Sequence, residues 1–113
     1  VLIPSRFEPS GLTQMEAMRY GCIPIARKTG GLADTVENYN PAKGSGTGFV
    51  FDNFDSTSFL IALVRAFATH GVARAWEKIQ KQAMKKDCSW EESAKRYAEV
   101  FAKAIKGNRT NNI

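Results

Sequence analysis

The stretch that decides the fold is residues 1–26, VLIPSRFEPSGLTQMEAMRYGCIPIA, in which two apolar runs flank a loop and a helix. The first run, residues 1–3, is wholly apolar, as a parallel strand covered on both faces is. Residues 11–20 are predicted to form a helix, and residues 22–26 a strand whose proline indicates a strand start or a sheet edge. A strand, a helix and a strand form a βαβ unit, so we expect parallel strands joined by a right-handed crossover.

The helix of this unit has sequence signals for its start, its end and its buried face. Ser10 is predicted to be its N-cap, and Gly21 the C′ glycine that ends it. Leu12, Met15 and Met18 recur at intervals of three residues, which predicts that they form the face packed against the sheet.

Further along the chain, a second loop at residues 29–32 (TGGL) precedes a short helix predicted at residues 33–37. Residues 49–51 (FVF) are predicted to be a third strand, at the end of a turn-rich segment. After this strand the pattern becomes helical and remains so.

Three helices are predicted after the last strand. Asp55 caps the first, and the second covers residues 72–86. Ser89 opens the third in a capping box with Glu92. Their predicted inward residues are Phe59, Leu60, Leu63, Val64 and Phe67 in the first helix, Val72, Trp76, Ile79 and Ala83 in the second, and Ala94, Tyr97, Ala98, Phe101 and Ile105 in the third.

The composition is that of a globular domain. The 113 residues are 43% apolar and 24% charged, which is ordinary usage for one domain. The chain opens inside an apolar run and shows few strands, so we expect a partial domain over residues 1–106, with a disordered tail over residues 107–113. The sequence has no run apolar enough to span a membrane and no signal-peptide pattern.

Charge and cysteine usage narrow the classes of partner. The net charge of +5 lies wholly in residues 72–113, which carry ten Lys and Arg against five Asp and Glu. These charges alternate at helical spacing, which a solvated helix face explains more simply than a nucleic-acid surface. Cys22 and Cys88 belong to no metal-spaced cluster, so we expect reduced packing residues and no metal site.

Residues able to do chemistry gather where the first strand ends. Glu8 in the loop and Glu16 on the helix are separated by seven residues. In open α/β sheets, ligands bind beyond the carboxyl ends of strands, where the amides of helix N-termini favour anions. The amides at Gly11 and Leu12 are therefore candidates for holding a phosphate, although Gly11 could equally serve to relieve a tight turn.

These candidates also have ordinary structural interpretations. Glu16 could bind ribose hydroxyls, or it could pair with Arg19 on the helix surface. Glu8 could face a ligand or be an exposed loop acid, and Arg6 could neutralise phosphate charge or pair with Glu8. The two glycines of the second loop permit a close backbone approach, yet they are also common in turns.

Taken together, these segments resemble the sugar-nucleotide-binding signature of glycogen and starch synthases. The matching motifs are RFEP-x-GLTQ, AMRYG-x-IP and TGGL-x-DTV, and the similarity continues through GTGFVFD and MKKDCSWEESAKRYAEVF, over about residues 1–101. The resemblance implies an α/β fold, the Rossmann-like C-terminal half-domain of a GT-B glycosyltransferase. This half-domain would be incomplete at its N-terminus and would lack the N-terminal acceptor domain.

The resemblance also implies roles for particular residues. Glu8 is expected to be catalytic and to contact the donor glucose, and Glu16 is expected to contact the ribose. The other implied donor-binding residues are Arg6 and Ser10, then Gly11, Leu12 and Thr13 for the phosphates, and Thr29, Gly30 and Gly31 along the sugar and its phosphates. Ser10 stands where many bacterial and plant synthases have Cys, so no thiol chemistry is expected there.

The implied reaction is transfer of glucose from ADP-glucose or UDP-glucose to the non-reducing end of an α-1,4-glucan, with retention and without a metal or other cofactor. The expected partners are the nucleotide sugar and the glucan, not nucleic acid or a membrane. The expected location is the cytoplasm, or a plastid in a plant or alga. Two alternatives stay open: another retaining glycosyltransferase with the same glutamate pair and a different nucleotide sugar, and a non-catalytic nucleotide- or glucan-binding module.

Overall fold

A computed structural model describes residues 1–110, with side chains through residue 107. Along the chain the elements are β1 Leu2–Ile3, α1 Thr13–Arg19, β2 Ile25–Arg27, α2 Gly30–Thr35, β3 Phe49–Phe51, α3 Ser56–His70, α4 Ala73–Lys85 and α5 Trp90–Thr110. Every predicted strand and helix is present, with bounds that differ by a few residues.

The three strands form one parallel sheet in the order β1–β2–β3. Leu2 pairs with Ile25, and Ala26 pairs with Val50, so β2 is the central strand and its preceding proline marks a strand start. Because the strands are parallel, their carboxyl ends and the loops that follow lie along one edge of the sheet. The predicted α/β class is confirmed.

Helix α1 packs with a face that agrees only in part with the predicted one, because Met18 is buried as predicted but Leu12 is not. Gln14 and Met18, four residues apart, are buried, whereas Leu12 is 64% exposed. The prediction for Leu12 is wrong because the helix begins at Thr13, which leaves Leu12 outside the first turn. The inward stripe therefore follows the spacing of four rather than three residues.

Helix α1 ends at the predicted C′ glycine, Gly21. Gly21 adopts a φ of +75°, which glycine tolerates at C′. Its amide donates to the carbonyl of Met18 at 3.0 Å, and the Cys22 amide donates to the carbonyl of Ala17 at 2.9 Å. These two bonds form a Schellman motif and satisfy carbonyls that the helix itself leaves unpaired.

Helix α2 begins three residues before its predicted start. Gly30 and Gly31 form its first turn instead of belonging to the preceding loop. Leu32 and Val36 pack with Ala26 of β2 in a small second core. The packing of α2 thereby places its N-terminus at the carboxyl edge of the sheet.

The main core lies between the sheet and helices α3 and α4. Phe49 of β3 is fully buried, and its ring centroid lies 5.8 Å from that of Tyr39 and 6.3 Å from that of Trp76. The other buried members of this core are Met18, Ile23, Ile25, Phe51, Ala62, Ala66, Ile79 and Ala83.

Helix α3 contacts the sheet through small residues. Ala62 and Ala66 are buried, and Phe59 and Leu63 pack beside them against the core as predicted. Alanine at the contact positions lets the helix lie close to the sheet, which turns its bulkier neighbours outward. Three predicted inward residues are therefore more than half exposed: Leu60, Val64 and Phe67.

Helix α4 largely follows its prediction. Ile79 and Ala83 are buried, and Trp76 packs against the core. Val72 is 57% exposed instead of inward, because it occupies the N-cap position before the first helical turn.

Helix α5 has the predicted cap, Ser89, but the second bond of the predicted capping box does not form, because the Glu92 carboxylate accepts from Arg96. The helix also has an exposed apolar face. The Ser89 hydroxyl accepts the Glu92 amide at 3.3 Å, while the Ser89 amide donates to Asp87 at 2.9 Å. Tyr97 and Phe101 are 65% and 62% exposed, so the predicted inward face is not covered by the described part of the chain.

The remaining predictions concern the tail, the cysteines and membranes. The tail predicted at residues 107–113 begins within the last part of α5, and residues 111–113 lie outside the described residues. Cys22 and Cys88 are free and exposed, so their assignment as packing residues is wrong: both lie in surface connections next to helix ends. Across the described chain no single helix could cross a membrane, and only the bent pair of α3 and α4, at 111°, has the length and composition to do so together.

Candidate functional site

Residues 5–11, the site loop, lie within the connection from β1 to α1 at the carboxyl edge of the sheet. The loop carries Glu8, which is half-buried. Its side chain lies against Gly11, since a Cβ atom added to Gly11 would be 3.1 Å from Glu8 Cγ. The structure thus places the predicted catalytic residue in a supported position rather than on a free loop tip.

The carbonyl groups of the site loop are directed towards donors in the protein. The carbonyls of Glu8 and Pro9 accept hydrogen bonds from the Gly31 amide at 3.1 and 3.2 Å. This amide belongs to the first turn of α2, so it fixes the site loop against that helix. Because these carbonyl oxygens accept hydrogen bonds within the protein, they do not present their negative partial charge to a ligand. This arrangement favours the binding of an anion beside the loop.

Gln14 holds the second half of the site loop. It is fully buried, and its Nε2 donates to the carbonyls of Ser10 and Gly11 at 3.2 and 2.9 Å and to Thr35 Oγ1 at 3.0 Å. The Thr35 hydroxyl donates in turn to the carbonyl of Gly31 at 2.6 Å. These bonds join α1 to α2, while the buried Gln14 Oε1 has no partner within the described residues.

Gly30 and Gly31 lie directly against the site loop. A Cβ atom at Gly30 would overlap the carbonyl of Glu8, and one at Gly31 would overlap the carbonyl of Ser10. Gly30 also has a φ of +45°, a conformation that residues with a side chain rarely adopt. The pair therefore allows a close backbone approach, and in this structure the approach is to the site loop.

Helix α1 begins without a side-chain cap. Its N-cap position is Leu12, and the predicted N-cap, Ser10, lies outside the helix, so that prediction is wrong. Ser10 instead contributes its carbonyl to the contact with Gln14. The Glu16 amide donates to the carbonyl of Leu12 at 3.0 Å, whereas the amides of Thr13, Gln14 and Met15 have no acceptor within the helix. These first-turn amides are the ones that a ligand could use.

Glu16 lies exposed on α1 beside a groove of about 550 Å³. Leu12 and Met15 supply apolar side chains to this groove, and Arg19 and Lys86 supply basic ones. A carboxylate at the mouth of a groove with apolar and basic walls can accept hydrogen bonds from hydroxyl groups while a charged ligand binds alongside.

Neither of the two alternative ion pairs forms in the described chain. Glu16 does not pair with Arg19, and Glu8 does not pair with Arg6. Ion pairs form elsewhere in the chain, at Lys28–Asp52, Lys86–Glu37 and Arg96–Glu92. The guanidinium carbon of Arg6 lies instead 6.0 Å from the centroid of the Phe54 ring.

Two amides of the second loop are engaged within the protein. The Thr29 amide donates to the carbonyl of Arg27 at 2.9 Å, and the Gly31 amide holds the site loop. These residues therefore lie at the site as expected. Any contacts of Thr29 and Gly31 with the sugar nucleotide would have to use atoms other than these two amide hydrogens.

Three residues that hold the site together were missed in the sequence. Gln14 and Thr35 lie within the motifs that carried the family resemblance, and the signal for them was a polar residue at an inward helix position. Arg27 ends an apolar run, and a polar residue at the carboxyl end of a parallel strand indicates a site. Within residues 1–110, no group of three or more His, Cys, Asp and Glu side chains could hold a metal ion.

The chain matches a family model and several curated proteins. The model, described as glycosyl transferases group 1, matches residues 1–85, well over half of the chain. The chain is 50% identical over 100 residues to glycogen synthase 1 of Synechocystis sp., covering 88% of this chain and 21% of that protein. It is 47% identical over 107 residues to glycogen synthase of Anoxybacillus flavithermus, covering 95% and 22%. The chain therefore spans about a fifth of the length of these relatives.

Two solved structures share the fold. The catalytic domain of starch synthase IV from Arabidopsis thaliana, bound to ADP and acarbose, has a TM-score of 0.77 and 42% identity, over 93% of this chain and 22% of that chain. Sucrose-phosphate synthase from Thermosynechococcus elongatus has a TM-score of 0.60 and 27% identity, over 94% and 25%. These likenesses confirm the expected GT-B-type half-domain. The chain belongs to the group 1 glycosyl transferases.

Proposed function

We propose that this chain is the donor-binding part of an α-glucan synthase, which transfers glucose from ADP-glucose or UDP-glucose to the non-reducing end of an α-1,4-glucan with retention. The observation that carries the proposal is the fixed placement of Glu8 beside the uncapped N-terminus of α1. Identities of 50% and 47% to glycogen synthases support the substrate class. The ADP bound to the related starch synthase IV supports a nucleoside diphosphate as the leaving group.

The diphosphate of the donor would bind at the start of α1. The amides of Gly11, Leu12 and Thr13 would hold it, and the dipole of α1 would favour its negative charge. Negative charge grows on the diphosphate as the bond to glucose breaks, so these prearranged amides would stabilise the transition state more than the ground state. The proposal assigns this task to α1, because the amides of Thr29 and Gly31 already donate within the protein.

The two carboxylates would act on different parts of the donor. Glu8 would contact the glucose, fix its orientation and favour the positive charge that develops on the sugar ring. Glu16 would accept hydrogen bonds from the ribose hydroxyls at the groove beside α1. Arg6 and Ser10 would complete the lining of the donor site, next to Gly30 and Gly31.

The proposal requires partners beyond this chain. The α-glucan would be held by an acceptor domain of the full-length protein, and the 113-residue chain alone would not transfer glucose. The reaction would need no metal, because the helix-terminal amides take over the stabilisation of the diphosphate. Within the proposal, the protein acts in the cytoplasm or, in a plant or alga, in a plastid.

The test compares donors in the full-length protein that contains this chain. Glycogen is supplied with ADP-glucose, UDP-glucose or GDP-mannose, and transfer of labelled sugar is measured. We expect transfer from one of the glucose donors, and we expect Glu8→Gln to lower kcat by about 100- to 1,000-fold. Glu77→Gln is the matched control, since Glu77 is an exposed carboxylate on α4, and it should keep the wild-type kcat.

Other outcomes would replace this proposal. Transfer only from GDP-mannose would indicate a different retaining glycosyltransferase. An unchanged kcat in Glu8→Gln would remove Glu8 from the reaction. Binding of a nucleotide or glucan without any transfer would support a non-catalytic module.

A further inference from the structure

Arg27, the last residue of β2, reaches the loops that follow both neighbouring strands. Its Nε donates to the carbonyl of Ser5 at 2.9 Å, and its Nη2 donates to the carbonyl of Arg6. Its Nη1 donates to the carbonyl of Asp52, directly after β3, at 3.1 Å. One guanidinium group thus connects the carboxyl ends of all three strands.

The surroundings of Arg27 restrict its orientation. The side chain is half-buried, and its guanidinium carbon lies 5.6 Å from the centroid of the Phe54 ring. A planar group that donates to three carbonyls and also lies over an aromatic ring has few alternative orientations. Arg27 is therefore a rigid support for the backbone around it.

Three groups hold the site loop, and each holds a different part of it. The Gly31 amide and the Gln14 side chain hold the loop from Glu8 onward. Arg27 holds the part upstream of Glu8. Without Arg27, this upstream part would lose two of its hydrogen bonds, and the backbone that carries Glu8 would be fixed only on its downstream side.

We propose that Arg27 is a positioning residue for Glu8 and sets the orientation of its carboxylate through the backbone of the site loop. This inference rests on the proposed function, because that function places Glu8 at the reacting sugar. Arg27 acts through carbonyl groups and not through a contact with the donor. A displacement of about 1 Å at a reacting group can cost roughly 100-fold in rate, so turnover should depend on Arg27 much more than donor binding does.

The test uses Arg27→Lys and Arg27→Ala in the full-length protein. Lysine keeps the positive charge but lacks the planar fork, so it cannot bond three carbonyls at once. We expect both variants to lose about 100-fold in kcat. The KM for the sugar nucleotide and the Kd for ADP should change less than about threefold, as for an interaction that matters in the transition state. Hydrogen exchange in residues 5–8 should become faster.

Arg65→Ala is the matched control. Arg65 on α3 also donates to a backbone carbonyl, that of Tyr39 at 3.1 Å, and its guanidinium carbon lies 5.6 Å from the centroid of the Phe49 ring. Removing Arg65 should lower the melting temperature and leave kcat unchanged. If Arg27→Ala does not fold, Arg27→Lys at a temperature well below its melting transition still gives the result.

Wild-type kcat in folded Arg27→Lys would overturn the inference. A rise in KM with unchanged kcat would also overturn it, because Arg27 would then act in donor binding. If the unmodified protein transfers no sugar, the proposed function fails separately. In that case unchanged hydrogen exchange in residues 5–8 of the variants would overturn the role of Arg27, and faster exchange would support it.

Discussion

Helices α1 and α3 begin at the same edge of the sheet, after β1 and β3, but their N-termini are completed differently. Helix α3 is capped by Asp55, whose Oδ1 accepts the Ser58 amide at 2.7 Å and whose Oδ2 accepts the Ser58 hydroxyl at 3.0 Å. Helix α1 has Leu12 at its N-cap position, with no hydrogen bond from the side chain.

This difference separates a structural helix end from one that is suited to a ligand. The hydrogen bond from the Ser58 amide lowers the pKa of the Asp55 carboxyl below its ordinary value, because the charged form accepts it. The N-terminus of α1 has no such carboxylate and keeps its first-turn amides available. Its preceding loop is stabilised through carbonyl groups instead, by Gly31, Gln14 and Arg27. The loop before α1 is thus held in place without blocking the first-turn amides of the helix.

The largest effect should come from disturbing this support with a single methyl group, in Gly31→Ala. The new Cβ would overlap the carbonyl of Ser10 and push the site loop away from α2. We expect kcat of the full-length protein to fall by about 100-fold or more. The free energy of unfolding should fall by roughly 1–3 kcal/mol. Steady-state assays and denaturant titration measure the two effects.

Gly71→Ala is the control for this prediction. The nearest atom to a Cβ at Gly71 would be the carbonyl oxygen of Ala68 at 3.5 Å, and its φ of −63° suits any residue. This variant should keep wild-type kcat, and its stability should rise by up to about 1 kcal/mol. An equal loss of activity in both variants would contradict a specific role for the contact between Gly31 and the site loop.

A smaller effect is expected when α1 is given the kind of cap that α3 has, in Leu12→Asp. Leu12 is 64% exposed, so the change buries no charge. The new carboxylate would bond the first-turn amides and repel phosphate, so binding of ADP should weaken by about tenfold, or about 1.4 kcal/mol. Thermal stability should be unchanged or higher, because an acidic N-cap favours the helix.

Leu12→Asn separates the effect of capping the amides from the effect of the negative charge, since asparagine caps the helix without a charge. We expect this variant to weaken ADP binding less than Leu12→Asp does, as measured by titration calorimetry. Wild-type affinity in Leu12→Asp would show that the start of α1 is not the phosphate site.

The smallest effect on activity is expected at the capped helix, in Asp55→Ala. The melting temperature should fall by a few degrees while kcat is unchanged. The folded-state pKa of Asp55 is lowered, so its stabilisation is present above the unfolded-state pKa and is lost as the pH falls through the folded-state pKa. The difference in melting temperature between wild type and Asp55→Asn should therefore shrink on acidification. A difference that stays constant with pH would contradict this assignment.

Much of the fold could be predicted because local signals and burial agree. The apolar run at Phe49–Phe51, the cap at Asp55 and the glycine at Gly21 each have one structural interpretation. Periodicity failed in α3, where Ala62 and Ala66 face the sheet and larger residues do not. An apolar pattern gives the period of a helix, but the closeness of approach to its neighbour decides which apolar residues are buried.

The site could be predicted only in part for a related reason. The spacing of Glu8 and Glu16 and the position of Gly30 depend on local sequence, and the structure places them along one edge of the sheet. The hydrogen-bond donors that hold the site loop are brought to it by packing between elements. The spacing of residues in the sequence does not reveal this packing. A polar residue at the position of Gln14 is visible in the sequence, but its bond to Thr35 can be identified only when α1 and α2 lie side by side.

The support of the site loop has a consequence for the order in which the protein folds. Arg27 lies 22 residues from Ser5 in sequence, and Gln14 lies 21 residues from Thr35. Contacts of this separation form after local structure, because chain entropy must first be lost to bring the ends together. The site loop can therefore reach its native conformation only after β2 and α2 have docked on β1 and α1. Any partial opening that releases α2 abolishes the site before it exposes the core around Phe49.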